Sequence, residues 1–580
     1  MSANRRAPRA RKTRPAEDAP RAAPPRPPLE RFLTLALAAV VLAAGTWSYS
    51  NSFGGVFVLD DVRAIVRNSS IRTLWPLSVP FSPPSESTVA GRPVANLSFA
   101  VSYAMGAAPA AAGGAATSAM LAAPDAAPFH AGNLFIHLSA ALVLFGVVRR
   151  TLLSPRLRDR FEDTAPWMAF AVAFLWVVHP LHTSAVTYIV QRVESLMGLF
   201  YLLTLYCAIR ASDGPGRRWW AAAAVLSCAA GMGSKETMVT APVMVALWDH
   251  LFGGTEKGRP AGIRWRLVGA LAASWLLLAF LVSREFRGPS VDLSPAMIWL
   301  YLRTQAEVLV HYLRLALYPS PLVFFYDWPL TPAPLWKAWQ AALLAALAVL
   351  TAVGIRKRQP ASFLGAWFFL ILAPSSSVLP IVTEVAAEHR MYLPLAAIAA
   401  AIVLGAHLAV TRFMGHWTRP AAGAAAVVLL VTVGALGAAT RARNAVYASA
   451  EGLWADTVAK RPEDPRPRVA YGEALARAGR LSEAETQLWR AVELAPDGPV
   501  ARVRLGSVLA QQSRHEQAIA QLNAALALRP GDVDAHRFLG EIYAIQRRDA
   551  QALEHYSKAL ALVPDDPQIM AKIAALRARR

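Results

Sequence analysis

Two adjacent carboxylates, Asp60 and Asp61, stand in the stretch Phe57-Val58-Leu59-Asp60-Asp61-Val62-Arg63-Ala64-Ile65, just after the first long apolar run. Acidic groups beside a bilayer are expensive to hold, so such a pair points to a functional site. The chemistry it offers is deprotonation or orientation of a hydroxyl nucleophile while a membrane-held donor is attacked. The plain alternative is a solvated loop in which Asp60 caps a short helix beginning at Asp61. Two cations carry the complementary charge. Arg192 lies about two turns beyond the turn His179-Pro180-Leu181-His182, and an inward-facing cation near a leaflet suits a lipid phosphate. Lys235 in Gly233-Ser234-Lys235-Glu236-Thr237 is a second phosphate partner or a snorkelling anchor. A third cation, Arg390, opens an apolar run in Glu384-Val385-Ala386-Ala387-Glu388-His389-Arg390-Met391-Tyr392-Leu393-Pro394. The dipole of a helix start disfavours a cation, so Arg390 calls for an anion or Glu388 as counter-charge.

Other polar residues stand out against apolar surroundings. Arg92 belongs to Gly91-Arg92-Pro93-Val94-Ala95-Asn96-Leu97-Ser98-Phe99. His130, Asn133 and His137 share one helical face by their spacing. His137 suits a packing hydrogen bond and His130, nearer the end, the lining of a site. His179 and His182 have no third ligand nearby, so no metal is expected. Between Ser294 and Pro319, Arg303, Glu307, His311 and Arg314 recur at helical spacing, as in an amphipathic helix lying along the interface, and Phe325-Tyr326-Asp327-Trp328-Pro329 follows.

These residues need a membrane scaffold to position them. The chain has 580 residues, 55% hydrophobic and only 17% charged, a composition of membrane rather than soluble proteins. Residues 1–32 hold nine basic and three acidic groups and no apolar core, which predicts a disordered cytoplasmic tail. Eleven apolar runs follow, at about 32–50, 129–148, 166–182, 184–209, 218–233, 237–252, 265–283, 335–354, 361–380, 391–411 and 421–440. Each approaches the length needed to span a bilayer. With the tail inside, alternate loops carry Arg149 and Arg150, Arg217 and Arg218, Lys257 and Arg264, Arg356 to Arg358, and Arg412 and Arg419. That is the positive-inside pattern, and it accounts for much of the +21 net charge without nucleic acid. The acidic pair, Lys235 and Arg390 then fall outside. The two cysteines, Cys207 and Cys228, lie within runs and form no disulfide framework.

From 445 onward the composition turns soluble and repetitive. Pro462, Pro496, Pro530 and Pro564 recur every 34 residues, as do Gly472, Gly506 and Gly540. This is the tetratricopeptide period: three repeats, preceded by a half-repeat around Trp454. Its use is a peptide-binding surface or a capping module. The expected fold is therefore all-α: a polytopic membrane bundle (33–444) followed by a tetratricopeptide solenoid (445–580).

Taken in order, Val-Leu-Asp-Asp-x-x-Ala-Ile, Arg-Pro-x-x-Asn-Leu-Ser-Phe, His-Pro-Leu-His-Thr-x-Ala-Val, Ser-Lys-Glu, Tyr-Asp-Trp-Pro and Glu-His-Arg-Met-Tyr-Leu-Pro resemble the transmembrane and tetratricopeptide repeat O-mannosyltransferases and their bacterial relatives, members of the GT-C glycosyltransferase superfamily. The resemblance covers about residues 33–580. It implies transfer of a sugar from a polyprenyl-phosphate donor to a protein hydroxyl on the outer, periplasmic face of the inner membrane. No cofactor is implied, the repeats would engage the acceptor, and membrane lipids surround the enzyme. One of Asp60 and Asp61 would be the base; Arg192, Lys235 and Arg390 would hold the donor phosphate. Arg92, His130, His179, His182, Glu236, Arg314, Asp327, Glu388 and His389 would support them. Ser184 stands where eukaryotic members often have Glu, so mannose is not assigned.

Two other readings predict different things. A GT-C enzyme acting on lipid or polysaccharide leaves the repeats without a purpose. A non-enzymatic membrane anchor for the repeats leaves Arg192, Lys235 and Arg390 unexplained.

Overall fold

A computed structural model describes residues 28–106, 123–212, 216–256, 259–260, 262–285, 294–330, 337–378, 381 and 384–579. Most of the expected tail lies outside these residues. The first helix, α1, spans Pro28–Tyr49 and so starts slightly before the apolar run.

The apolar runs are helical. Seven helices are long and apolar enough to cross a membrane: Arg31–Gly54, Ala127–Leu152, Ile189–Arg210, Trp265–Ser283, Ala338–Arg356, Pro394–Met414 and Arg419–Val446. An eighth crossing is available if Ala165–Val177 and Pro180–Val186, bent by 52° at His179, count as one span. Eleven full crossings are thus more than the described helices supply by length. Arg217–Met232, Ala241–Phe252 and Ser362–Ala373 have 16, 12 and 12 residues, short of the roughly 20 that a crossing needs. The runs at 218–233 and 237–252 are themselves this short, being parted by Ser234–Glu236, and Pro374 ends the helix inside the run at 361–380. The bundle is layered. The helix Ile189–Arg210 is 83% buried, whereas Trp265–Ser283, Ala338–Arg356 and Arg419–Val446 are only 11% buried and present apolar surface outward. The amphipathic stretch forms Pro295–Leu317, whose Tyr301, Thr304, Val308, Tyr312 and Leu315 bury one face.

Helix α2, Pro93–Gly106, crosses the end of the bundle instead of threading it. The Val94 amide donates to the Gly233 carbonyl at 3.0 Å. At its other end, Gly106 closes on the Pro128 ring. The only β structure among the described residues is a two-residue hairpin, Thr255–Glu256 with Arg259–Pro260.

Beyond the last span the chain folds as a tetratricopeptide solenoid. The half-repeat helix Ala450–Lys460 leads into three hairpins, Pro465–Arg477 with Leu481–Leu494, Pro499–Gln511 with His515–Leu528, and Val533–Ile545 with Asp549–Leu562, closed by Pro567–Arg577. The recurring glycine is a packing requirement: a Cβ on Gly506 would sit 2.7 Å from Leu522 Cγ, closer than side chains can approach. The half-repeat docks on the segment Leu322–Trp328. Phe324 stands edge-on to Trp454 at 5.2 Å, to Tyr447 at 5.8 Å and to Tyr188 at 5.1 Å. Lys460 Nζ donates to the Leu322 carbonyl at 2.9 Å. Asp327 pairs with Arg466 at 2.5 Å.

Candidate active site

The acidic loop is held in an uncommon turn. Leu59 has φ = 46°, a left-handed conformation that costs a non-glycine residue roughly 1–3 kcal/mol and persists only where its surroundings enforce it. Asp61 does the enforcing. Its Oδ2 accepts from the Val58 amide at 2.9 Å and its Oδ1 from the Val190 amide at 2.7 Å. The side chain is fully buried. Burial pushes the Asp61 carboxyl up to about 8, against the two amide bonds and with added repulsion from Asp60. Asp60 is only partly buried. Its amide donates to Tyr188 Oη at 3.2 Å. Its carboxyl is raised by burial, which outweighs a hydrogen bond with Thr88 and the charge of Arg63. The loop is further tied to α2. Asn68 Nδ2 donates to Asn96 Oδ1 at 2.8 Å, and Asn96 Nδ2 donates to the Pro80 carbonyl at 2.8 Å.

Across from this loop lie two other segments. In the first, Lys235 forms a buried ion pair with Glu194. Its neighbour Glu236 pairs with Arg92 at 3.1 Å. In the second, Glu384 faces His389 across 3.9 Å. Burial raises the Glu384 carboxyl; Arg390 and Lys235 oppose this, while Asp60 and Glu194 reinforce it. His389 is held neutral by burial and by the charges of Lys235, Arg390 and Arg92. Asp60, Glu194, Lys235, Glu384, His389, Arg390 and Arg92 therefore share one electrostatic neighbourhood at the end of the bundle. Glu194 and Glu384 are the members that the residue pattern did not single out; for Glu384 a trace was there. Its signal was faint: an acid one helical turn before Glu388 in the same stretch.

The cations already have protein partners. Arg390 wraps its own loop, donating to the carbonyls of Val385 at 3.2 Å and Ser375 at 3.3 Å and to that of Glu384. Arg192 is corrected more strongly. Its guanidinium donates to Asn133 Oδ1 at 2.5 Å, the Ser98 carbonyl at 2.8 Å, Ser102 Oγ at 2.9 Å and the Phe129 carbonyl at 2.7 Å. It lies 4.6 Å over the Phe99 ring and is buried. It fastens α2 to the helices Ala127–Leu152 and Ile189–Arg210 and turns no face to a phosphate.

Several other expected residues are also structural. His130 Nε2 contacts the Gly55 carbonyl at 3.2 Å, and His179 Nε2 the Ala316 carbonyl at 3.2 Å. His182 is enclosed by aromatic rings, with Trp176 at 4.4 Å and Tyr392 at 4.9 Å. Arg314 donates to the Ser320 carbonyl at 2.7 Å. Glu388 Oε1 accepts from the Val323 amide at 2.6 Å and Tyr326 Oη at 2.8 Å. Asp327 belongs to the seam with the repeats. Glu388 thus holds the Leu322–Trp328 segment from the bundle side while the half-repeat holds it from the other.

A tetratricopeptide repeat family model matches residues 503–567. Over 307 residues the chain is 30% identical to protein O-mannosyl-transferase Tmtc2 of Drosophila melanogaster, which covers 49% of this chain and 30% of that protein. It is 28% identical over 227 residues to protein O-mannosyl-transferase TMTC4 of Homo sapiens, with 36% and 28% covered. A protein O-mannosyl-transferase of Caenorhabditis elegans matches at 22% over 485 residues, covering 78% of this chain and 62% of its own. The matched region is less than a third of the length of the first two relatives.

Proposed function

We propose that this chain, a relative of the TMTC O-mannosyltransferases, is a membrane glycosyltransferase that moves a sugar from a polyprenyl-phosphate donor to a protein hydroxyl on the periplasmic face of the inner membrane. The observation that carries this is the convergence of the charges of Asp60, Lys235 and Arg390 on Glu384, groups from three separate segments, at one end of an apolar bundle.

Asp60 is the base in this reading. Its carboxylate is bound to a single hydroxyl, that of Thr88, and burial makes it a stronger base than an exposed aspartate. Asp61 is the positioning residue, since both its oxygens are engaged by backbone amides. Asp60 takes the proton of the acceptor hydroxyl as that oxygen bonds to the anomeric carbon. The bond from this carbon to the phosphate oxygen breaks, and its electron pair leaves with the lipid phosphate. Lys235 and Arg390, with Arg92 beside them, provide the positive field that meets this developing charge. The repeats, fixed beside the site by the half-repeat, engage the acceptor.

The test is transfer of labelled sugar from polyprenyl-phosphate donors to periplasmic proteins in membranes carrying the wild type or Asp60→Asn. Loss of labelled protein at equal expression is the expected result. Labelling that survives Asp60→Asn overturns the assignment of the base. Its absence in both samples overturns the donor.

A further inference from the structure

Thr73–Ser85 is a run of thirteen residues without a charge, within the first loop after α1. It exposes large apolar side chains: Trp75 at 75% of its surface, and Leu77 and Phe81 at more than 40%. These are presented on a held backbone. The Pro80 carbonyl is bonded to the buried Asn96 side chain, and the Val79 and Phe81 amides donate to the Pro76 and Leu77 carbonyls at 3.0 and 3.1 Å. The nearest cation, Arg72, is folded away, donating to the Val66 carbonyl at 2.6 Å and lying 4.6 Å over Tyr103.

The loop rests on α2, which lies across the end of the bundle, joined at Val94 to the end of one helix and at Gly106 to the start of another. Exposed apolar side chains recur on the elements of that path. Val101 and Met105 of α2 are exposed, and the outward side of the helix Ala127–Leu152 begins at Phe135, 71% exposed. An uncharged, tryptophan-tipped loop, tied through α2 to the start of a membrane-crossing helix, has the chemistry of an interfacial anchor. The exposed polar groups of the run are the small hydroxyls of Thr73, Ser78, Ser82 and Ser85, which a hydrated headgroup layer accepts, and none carries a charge for a protein partner to pair with.

We propose that Thr73–Ser85, together with the exposed end of α2, is immersed in the headgroup and upper acyl region of the leaflet on the candidate-site side, so that the roof of the site is seated on lipid. The membrane here is a binding partner of the loop that carries Asn96's contact to the acidic turn.

The experiment uses the full chain with Cys207→Ala and Cys228→Ala, both cysteines being buried. Single cysteines at Trp75→Cys or Phe81→Cys carry a bimane label, and the protein is reconstituted in phosphatidylcholine–phosphatidylglycerol vesicles. Ser482→Cys, on an exposed residue of the repeats, is the aqueous control. The expected result is strong quenching at both loop positions by lipids bearing a nitroxide near the headgroup, with iodide quenching largely lost relative to position 482. Iodide quenching equal to that of the control, without lipid quenching, overturns the proposal. So does shielding that appears only when periplasmic protein is added. Should Trp75→Cys fail to fold, Leu77→Cys reads the same surface.

Discussion

The Asp61 carboxylate accepts a 2.7 Å hydrogen bond from the amide of Val190, 129 residues further along the chain. The bond pins the first loop against the start of the most buried span and leaves Asp60, the next residue back, as the carboxylate available for chemistry. The two positions therefore respond differently to the same substitution. Asp61→Asn turns a donor toward one of two amide donors and destabilises the fold by about 1–3 kcal/mol, visible as a lower melting temperature. Asp60→Asn leaves melting unchanged and abolishes transfer. The reverse pattern would exchange their roles.

Acidity separates them again. A base works ionised, so transfer should rise with pH along a limb displaced above the ordinary carboxylate range, because burial raises Asp60. Asp61 acts on stability instead. Its folded value, about 8, exceeds its ordinary 3.8. Its proton is then held more tightly in the folded state, and that stabilisation is complete below about pH 4 and lost as pH rises through about 8. Melting measured across this window should fall with pH in the wild type and flatten in Asp61→Asn.

Lys235 and Glu194 form a buried pair. Lys235→Met strands the carboxylate and should destabilise by about 3–5 kcal/mol. Adding Glu194→Leu should restore melting. Transfer should stay lost in the double variant if Lys235 meets the donor phosphate; its return would show that the pair is only structural.

Arg192 makes the opposite case. Arg192→Lys cannot serve four acceptors spread over two neighbouring helices. The expected outcome is a marked drop in folded yield, with transfer per folded molecule falling far less than in Asp60→Asn. Quantifying monodisperse protein beside activity checks this.

The seam with the repeats should depend on Trp454 more than on charge. Trp454→Ala removes a largely buried ring from Phe324, worth about 3–5 kcal/mol locally. It should release the repeats to limited proteolysis near Ser449. Asp327→Asn breaks a part-exposed pair and should change the cleavage rate little, since such pairs contribute about 0–1 kcal/mol.

The helices and the repeats were legible because hydropathy and a 34-residue period are local properties. What escaped reading depends on distant partners. Nothing near Asp61 announces that the Val190 amide will reach it. Nothing near Arg192 shows Asn133, Ser98, Ser102 and Phe129 converging on it. Glu384 gains its standing only because Lys235 and Asp60 arrive from elsewhere. The expected eleven crossings exceed what the described helices supply by length because the runs at 218–233 and 237–252 are short and Pro374 ends the helix inside the run at 361–380.

The half-repeat is clamped between the last span and Leu322–Trp328, so the bundle meets the solenoid at its first turns. Whole repeats can therefore be gained or lost at the C-terminal end without altering what the bundle feels. Reach becomes adjustable by gene duplication while the geometry of the candidate site is inherited intact, so what the repeats engage and what the bundle does can evolve on separate clocks.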